Sequence, residues 1–427
     1  MEQVLVIVDP ALGVSQGHHA GFAEMVAESY PEAIKLKYIC HRALDESAEH
    51  RLDCAGIAVR KVFSQDFYQY YQKTADRVEI NRYILTLAKE YSAVFRQLIA
   101  TGERHLLLYH TLNWEHANAL SLALQTACGQ NDKLEHRVLL MFNPGIDHQG
   151  RIRNGKLGLN FRVALKKLLP LANVKSFTSC SEYANAYAQL LDLKAPLAIH
   201  PNLFGTAVSP AKPSSQAPSA DKPALVEQTT SANNRILLYL GDAKADKGFR
   251  RLPERIRRLQ SLGGSDARFV VQYCRPPNWQ SSGLQQIAEE IETLARVDAR
   301  IELHHEFWSQ RVLHDQLQKT TFMVLDYEAI AYADKTSGLL WLAAHYDLPI
   351  VTTVNTWAMR EAKRFGLAVT HWGAADTLET LQQRLRTAKQ QQPEQDYTQQ
   401  IAQPFWDWIQ TTTAVIKRTN DASSGHD

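Results

Sequence analysis

A short segment in the second half of the chain combines the residue types that bind a diphosphate. The segment LYLGDAKADKGF (residues 238–249) consists of an apolar run ending at Gly241, a polar loop, and the pair Lys247 and Gly248. Glycine lets the backbone turn tightly, and a lysine beside the amides of a helix start attracts phosphate. The GxxxxGK[ST] spacing of a Walker P-loop is missing. The segment therefore predicts an anion site, and the alternative is an ordinary strand–loop–helix turn with solvated lysines.

A second segment, YADKTSGLLWLAAHYDLPIVTT (residues 332–353), leads from a polar loop into an apolar helix. Ser337 is positioned to cap that helix with Gly338 in its first turn, which would present N–H groups to a phosphate. Asp334, in the loop, is positioned to accept hydrogen bonds from sugar or ribose hydroxyls. The alternative is a capped helix that only serves the core.

Histidines follow two predicted strands of the first half. In GVSQGHHAGF (residues 13–22), Gly17 would allow a substrate to approach closely, and His18 or His19 would hydrogen-bond it or transfer a proton. His110 ends the apolar run HLLLYH, and a histidine at the carboxyl end of a buried strand is a candidate for contact with a sugar. The alternative is that these histidines only pack or cap.

Spacing and charge exclude two other kinds of site. The five cysteines form no CxxC pair, and His304 and His305 are adjacent rather than one helical turn apart, so neither disulfides nor a metal is predicted. The net charge is only +2. No basic stretch is interleaved with aromatic stacking residues, so nucleic acid is not a predicted partner.

Apolar runs that alternate with amphipathic stretches must position these residues. Runs such as QVLVIVD, HLLLYH and RVLLMF are continuously apolar, which is typical of parallel strands covered on both faces. Their alternation with helices predicts a doubly wound α/β domain over residues 1–205, and a second series starting with RILLYL predicts another over residues 235–395. Two such domains facing a cleft are expected to bind ligand at the carboxyl ends of their strands.

The remaining segments are assigned by composition. Residues 206–234 are rich in Pro, Ser and Ala and predict a flexible linker. Residues 396–418 predict a closing helix, and residues 419–427 a disordered polar tail. No stretch reaches the ~18 consecutive apolar residues of a membrane span. We expect a cytoplasmic protein, with peripheral attachment to the inner face of the membrane as an open alternative.

The two chemical segments, taken together and in this order, resemble the donor-binding domain of family 4 glycosyltransferases. In that family a strand ending in Gly precedes a loop that closes with Lys-Gly and a helix, as in KGFRRLPERI; a loop–Gly–helix–Gly-x-Pro-Val-Val element follows, as in SGLLWLAAHYDLPIV. The phrase TVNTWAMREAKRFG, with Tyr327 and Tyr332, is similar to a subgroup of bacterial surface-polysaccharide transferases. The resemblance covers the second α/β series well and the first only in outline.

This resemblance implies a GT-B fold of two Rossmann-like domains. It implies a retaining, metal-independent transfer of a sugar from a nucleotide-sugar donor, held by the second domain, to a glycan, lipid-linked or other acceptor. Lys247 would neutralise the diphosphate, the amides of Ser337 and Gly338 would help hold it, and Asp334 would take the first position of the family's acid pair. No cofactor is implied, because the nucleotide sugar is a substrate.

The chain departs from the family pattern at two positions. Where the family usually has Arg after the strand-end Gly, this chain has Asp242, and Lys244 would supply the charge as a point charge rather than a fork. The second acid of the pair is replaced by Leu342. These departures favour the alternative of a catalytically inactive GT-B scaffold that binds a glycan or a partner transferase. A nucleotide-sugar epimerase and an inverting transferase are the alternatives among enzymes.

A basic stretch lies in the first half, at residues 151–167, and contains no acid. One interpretation is a face for a lipid-linked or anionic acceptor or for a membrane surface, and the other is the solvated side of a helix. Its cations are Arg151, Arg153, Lys156, Arg162, Lys166 and Lys167.

Overall fold

The structure is a computed structural model of the 427-residue chain. It describes residues 3–13, 18–67, 69–70, 76–127, 131–203, 235–261, 267–275, 279, 283–373, 376–388, 393–394 and 403–410. The chain divides into two compact units, one comprising Met1–Thr206 and Gln400–Asp427, the other Ala207–Gln399.

The first unit is built on a sheet of parallel strands whose order is β3-β2-β1-β4-β5-β6-β7. The strands are β1 (Gln3–Asp9), β2 (Leu36–His41), β3 (Ala58–Phe63), β4 (Arg104–Tyr109), β5 (Leu134–Leu140), β6 (Val174–Thr178) and β7 (Ala198–Ile199). The helices are α1 (His18–Ser29), α2 (Glu46–Cys54), α3 (Arg77–Ala100), α4 (Trp114–Ala127), α5 (Gly155–Leu168) and α6 (Ser181–Leu191). Because helices follow the strands in turn, the central strands are buried on both faces.

The second unit repeats this plan with the strand order β10-β9-β8-β11-β12-β13, again parallel throughout. Its strands are β8 (Arg235–Asp242), β9 (Ala267–Cys274), β10 (Ile301–His304), β11 (Phe322–Leu325), β12 (Ile350–Thr352) and β13 (Val369–Thr370). Its helices are α7 (Leu252–Ser261), α8 (Gln285–Val297), α9 (Gln310–Lys319), α10 (Gly338–His345), α11 (Trp357–Phe365) and α12 (Leu378–Ala388).

Each sheet reverses its strand order once. In the first unit the reversal lies between β1 and β4, and in the second between β8 and β11. At such a switch point the loops after the two strands run to opposite faces of the sheet, which leaves a crevice at their carboxyl ends. The residues that end β1, β4, β8 and β11 are therefore the ones that the fold presents to a ligand.

A segment near the end of the chain belongs to the core of the first unit. Residues 405–410 are helical. The Trp406 indole N–H donates to Ser29 Oγ at 3.0 Å, and the Trp408 ring packs edge-on against Phe177 at 5.0 Å between ring centroids. The closing helix predicted over residues 396–418 is described only in this part, and here it returns to the first unit.

The predicted α/β class with two doubly wound sheets is confirmed. Strand β4 ends one residue earlier than expected, so His110 follows the strand instead of closing it. The linker predicted over residues 206–234 and the tail over 419–427 lie outside the described residues. None of the described helices is both long and apolar enough to cross a membrane.

We expect Trp408→Ala to lower the free energy of unfolding of the first unit by about 3–5 kcal/mol, because the removed indole leaves a core cavity. Trp408 is 6% exposed, whereas Phe307 is 50% exposed and provides the matched control Phe307→Ala, which should cost little. Urea unfolding followed by circular dichroism measures both. Equal effects of the two substitutions would show that the terminal segment does not belong to the core.

Candidate functional site

Both predicted phosphate-binding segments of the second unit place a side chain next to Gly241, which is the next-to-last residue of β8. Gly241 adopts φ 123°, a conformation that favours glycine. A Cβ atom placed there would lie 3.4 Å from Lys247 Nζ and 3.7 Å from Leu339 Cδ1. Leu339 is in the first turn of α10. The absent side chain of Gly241 therefore leaves the strand end open between a lysine amine and a helix start.

Two lysines in the loop after β8 share one carboxylate. Asp242 Oδ2 lies 2.8 Å from Lys244 Nζ and 3.3 Å from Lys247 Nζ. Burial raises the pKa of Asp242, but the two lysines more than offset this and hold it below its ordinary value. Burial also lowers the pKa of Lys247, against the opposing effect of Asp242. With Asp246, which pairs with Lys335, residues 242–248 contain two amines and two carboxylates and have no net charge.

The loop is held against β11 by Gly248, which is at φ 83°. A Cβ atom at this position would overlap the carbonyl oxygen of Asp326. The chain then passes through a 3-10 turn, Phe249–Arg251, before α7 begins at Leu252. The helix predicted directly after Lys247 and Gly248 is thus α-helical only from Leu252, five residues after Lys247.

Asp326, directly after β11, is the acid at the switch point of the second sheet. It is 6% exposed and accepts from Arg251 Nε at 3.0 Å and from Arg255 Nε at 3.1 Å. The Arg255 guanidinium also lies over the Trp372 ring, 4.9 Å from its centroid. Neither Asp326 nor its two arginines were predicted to form a site. The sequence contains two indications of this network: Asp326 follows the apolar run FMVL, and Arg251 and Arg255 are spaced i, i+4.

The loop between β11 and α10 is joined to the lysine loop. Lys335 Nζ lies 3.0 Å from Asp246 Oδ2, and the Glu328 N–H donates to the Asp246 carbonyl oxygen at 2.9 Å. The hydroxyls of Tyr327 and Ser337 are hydrogen-bonded at 2.6 Å. The prediction that the Ser337 side chain caps α10 is therefore wrong, because no cap hydrogen bond is made and the hydroxyl bonds Tyr327 instead.

The structure places the remaining residues of this predicted site at different depths. Tyr332 is 2% exposed and its ring stacks on the Tyr327 ring, with 4.1 Å between centroids. It therefore packs inside the loop between β11 and α10. Asp334 is more accessible and lies 3.6 Å from the Arg360 guanidinium, which also donates to the Ala333 carbonyl oxygen. Lys247 lies beside Gly241 together with the side chain of Leu339, the residue after Gly338, whereas Asp334 belongs to an ion pair with α11.

The switch point of the first unit carries a buried acid, Asp9, with two buried histidines, His19 and His110, and a third histidine, His18, at the exposed edge of the cluster. Asp9, the last residue of β1, accepts from His19 Nδ1 at 2.8 Å and lies 3.3 Å from His110 Nε2. The Ala11 N–H and the Tyr38 hydroxyl also donate to its carboxylate, at 3.1 and 3.3 Å. An ionised carboxylate only accepts, so it selects the tautomer of His19 that carries its proton on Nδ1.

The pKa values of two of these histidines, His18 and His110, are lowered, which favours their neutral form. Burial lowers the pKa of His18 to about 4 and holds that of His110 well below its ordinary value. Burial raises the pKa of Asp9, but the adjacent His19 and His110 reverse this and keep the pKa low. His18 Nε2 and His110 Nδ1 both lie within hydrogen-bond reach of Thr111 Oγ1, at 3.3 and 2.8 Å.

The predicted residues His18 and His110 are thus brought together, with ring centroids 5.2 Å apart. Asp9, which contacts both His19 and His110, was not among the predicted residues. A carboxylate ending the apolar run QVLVIVD was the indication, since a buried acid needs partners. Gly17, predicted to line the same site, lies outside the described residues.

Solved structures share this architecture across almost the whole chain. The UDP-forming α,α-trehalose-phosphate synthase of Burkholderia vietnamiensis has a TM-score of 0.58 at 11% identity, covering 100% of both chains. HepE of Anabaena, in complex with UDP, has a TM-score of 0.51 at 12% identity, covering 94% of this chain and 98% of its own.

The chain has the GT-B fold. A putative UDP-N-acetylglucosamine 2-epimerase of Listeria monocytogenes shares it, with a TM-score of 0.53 at 14% identity over 100% of this chain and 98% of its own. At this identity the likeness establishes the GT-B architecture and nothing finer. No family model and no curated protein sequence matches the chain.

We expect Gly248→Ala to destabilise the second unit more than a left-handed glycine alone would explain. Ala at positive φ costs about 1–2 kcal/mol, and overlap with the Asp326 carbonyl should add about 1–3 kcal/mol. Gly102→Ala is the matched control, because Gly102 has φ 76° and no described atom lies within 4 Å of its added Cβ. Urea unfolding would contradict this if both variants lost the same free energy.

The first unit should lose stability in mild acid. Burial lowers the pKa of His200 to about 4 and that of His136 to about 3. An unfolded histidine titrates near 6.5, so between these values the unfolded chain binds more protons and the free energy of unfolding falls as the pH falls. The expected loss is on the order of 2 kcal/mol per buried histidine at pH 5.

The measurement compares urea midpoints at pH 7 and pH 5. His136→Gln should show a smaller difference between the two midpoints than the wild type does, because it removes one of the groups that protonate on unfolding. An unchanged difference in that variant would show that His136 is not kept neutral by burial.

Proposed function

We propose that the chain is a glycosyltransferase that takes a sugar from a nucleotide-sugar donor, and that the second unit holds the donor diphosphate at Gly241. The observation that carries this proposal is the convergence of the Lys247 amine and the first turn of α10 on an open strand end. The first N–H groups of a helix have no acceptor within the helix and carry a partial positive charge. An amine and a helix start together match a diphosphate.

Uridine diphosphate is the proposed nucleotide. The GT-B structure of HepE contains UDP, and the Burkholderia vietnamiensis synthase is UDP-forming. The position of the lysine loop, at the carboxyl edge of the sheet beside the switch point, is where open α/β sheets bind nucleotides. These observations support a UDP-sugar; they leave the sugar and the acceptor unspecified.

In the proposed reaction the chain's own residues stabilise the leaving group. Sugar transfer separates an oxocarbenium-like sugar from an anionic diphosphate, so positive groups fixed at the diphosphate lower the barrier. Lys247 and Lys244 would turn from Asp242 towards the phosphates, and the amides of Ser337 and Gly338 would donate to them. A retaining, metal-independent transfer is the form of the reaction that we propose.

The histidine cluster of the first unit is proposed to serve the acceptor. Neutral imidazoles both donate and accept, so His18 and His110 are suited to bind hydroxyl groups. Asp9 would orient this set, because its carboxylate contacts both His19 and His110. Asp334 is proposed to contact the donor from the loop before α10, which requires the Arg360 pair to open.

We expect Lys247→Ala to weaken UDP binding about ten- to a hundredfold, the usual loss for one charge-assisted hydrogen bond. Lys319→Ala, on the exposed surface of α9, is the control and should bind as the wild type does. Isothermal titration calorimetry with UDP gives both affinities. Equal affinities in the two variants would place the diphosphate elsewhere.

Product analysis separates the transferase from its alternatives. Incubation with UDP-sugars and candidate acceptors should release UDP only when an acceptor is present, and NMR of the recovered donor should show an unchanged sugar. A changed sugar configuration without UDP release would identify an epimerase instead. Because Asp242 and Leu342 depart from the family pattern, an inactive scaffold is the second candidate, and tight UDP binding without turnover of any donor would favour it.

A further inference from the structure

The outward face of α5 carries apolar side chains that nothing in the described structure covers. Ile152 is 70% exposed, Leu159 60% and Val163 44%. Leu159 and Val163 are one helical turn apart, and Ile152 precedes the first turn on the same side, with its Cγ2 atom 3.7 Å from the Cβ position of Gly155. The three form a stripe along the helix instead of scattered exposed residues.

The loop before α5 holds Ile152 outward. The Asn143 side chain accepts from the Gly145 N–H at 2.7 Å and donates to the Ile146 carbonyl oxygen at 2.9 Å. Ile146 and Ile152 form an antiparallel bridge. Asp147 accepts from Arg151 and Arg153, and these hydrogen bonds hold its pKa low although burial raises it. The loop is therefore cross-linked, and the exposure of Ile152 is part of its structure.

Cations surround the stripe. Of the described acids, those in ion-pair contact with them are Asp147, which pairs with two arginines, and Asp192, which pairs with Arg162 and Lys166. Six cations against two acids leave a net charge of +4 on this face. The cations are Arg151, Arg153, Lys156, Arg162, Lys166 and Lys167.

This face begins at the functional edge of the first sheet. Helix α5 follows β5, and in a parallel sheet the chain leaves every strand at the same edge. The start of α5, with Ile152 and Lys156, is therefore at the carboxyl edge where β1 ends in Asp9 and β4 leads to His110. A surface bound along α5 would lie beside the histidine cluster.

We propose that the stripe Ile152, Leu159 and Val163 with its six cations, here termed the basic–apolar face, docks the first unit on an anionic phospholipid surface. Apolar side chains insert at the headgroup boundary while Lys and Arg attract the phosphates. A soluble polyanion would bind the cations but would leave the exposed apolar stripe in water. Cations and apolar side chains on one face therefore favour a bilayer as the partner. The inference stands without the proposed function, because docking needs no donor.

Sedimentation with vesicles tests the proposal on the full chain. Vesicles of phosphatidylcholine with one-third phosphatidylglycerol are the probe, and pure phosphatidylcholine is the comparison. The wild type should sediment with the anionic vesicles and be released by high salt. Lys156→Gln with Lys167→Gln should lower the partition coefficient on the order of tenfold or more, and Leu159→Ser with Val163→Ser should lower it comparably.

Matched controls come from helices elsewhere. Val78 is 60% exposed and Leu85 55% exposed, so Val78→Ser with Leu85→Ser removes equal apolar surface from α3. Lys89→Gln with Lys319→Gln removes equal charge from other exposed positions. Both controls should sediment as the wild type does. Because all these side chains are exposed, thermal unfolding should be unchanged in every variant.

Several results would overturn the proposal. Absence of sedimentation with anionic vesicles is one, and equal losses in the α3 control and the α5 variant are another. Retention on heparin without sedimentation would identify a soluble polyanion as the partner instead. UDP binding, measured in parallel, tests the donor site, so failure of docking and failure of the transferase proposal are told apart.

Discussion

The approach of Gly248 to the Asp326 carbonyl is the constraint on which the second unit depends. It brings the loop after β8 against the end of β11, the two strands between which the sheet reverses. Arg251 and Arg255 then hold the Asp326 carboxylate from the far side of the same loop. Lys247, which precedes Gly248, consequently lies beside Gly241. The position of the lysine thus depends on a backbone contact at Gly248 that leaves no room for a side chain.

In the first unit the buried carboxylate at the switch point is stabilised by different groups. Its switch-point strand also ends in an acid, but Asp9 is surrounded by imidazoles, a hydroxyl and an amide instead of guanidinium groups. The Tyr38 hydroxyl and the Ala11 amide donate to this carboxylate without adding charge, so the first unit uses hydrogen bonds where the second uses guanidinium groups. One fold thus carries lysines and arginines paired with aspartates in one unit and a carboxylate bonded by histidines, a hydroxyl and an amide in the other.

The fold was predictable where a strand consists of an uninterrupted run of apolar residues. QVLVIVD and RILLYL can only be strands covered on both faces, and both were assigned from sequence. Strands β2 and β3 were missed because LKYICH and AVRKVF mix charged and apolar residues, as strands towards the edge of a sheet do. Their assignment needs the neighbouring strand, which the sequence does not place.

The site was predictable only in part, for the same physical reason. Lys247 and Gly241 lie on one short loop, so their proximity follows from local turn chemistry. The partner of Ser337 is Tyr327, which depends on how the whole loop folds back, and the cap inferred from local preference was therefore wrong. Asp9 and Asp326 marked strand ends in the sequence, yet their partners lie on other elements and appear only in three dimensions.

The shared carboxylate of Asp242 has a consequence for which anions can enter the lysine loop. Both amines have Asp242 as a counter-ion, so the loop projects a weak electrostatic field and attracts small singly charged solutes only weakly. A ligand that binds both lysines must replace their contacts with the Asp242 carboxylate. A molecule with several negatively charged oxygens on neighbouring atoms is better able to do so than a singly charged one. The internal acid thereby sets an electrostatic threshold, which an anion of high charge density overcomes more readily than a singly charged one.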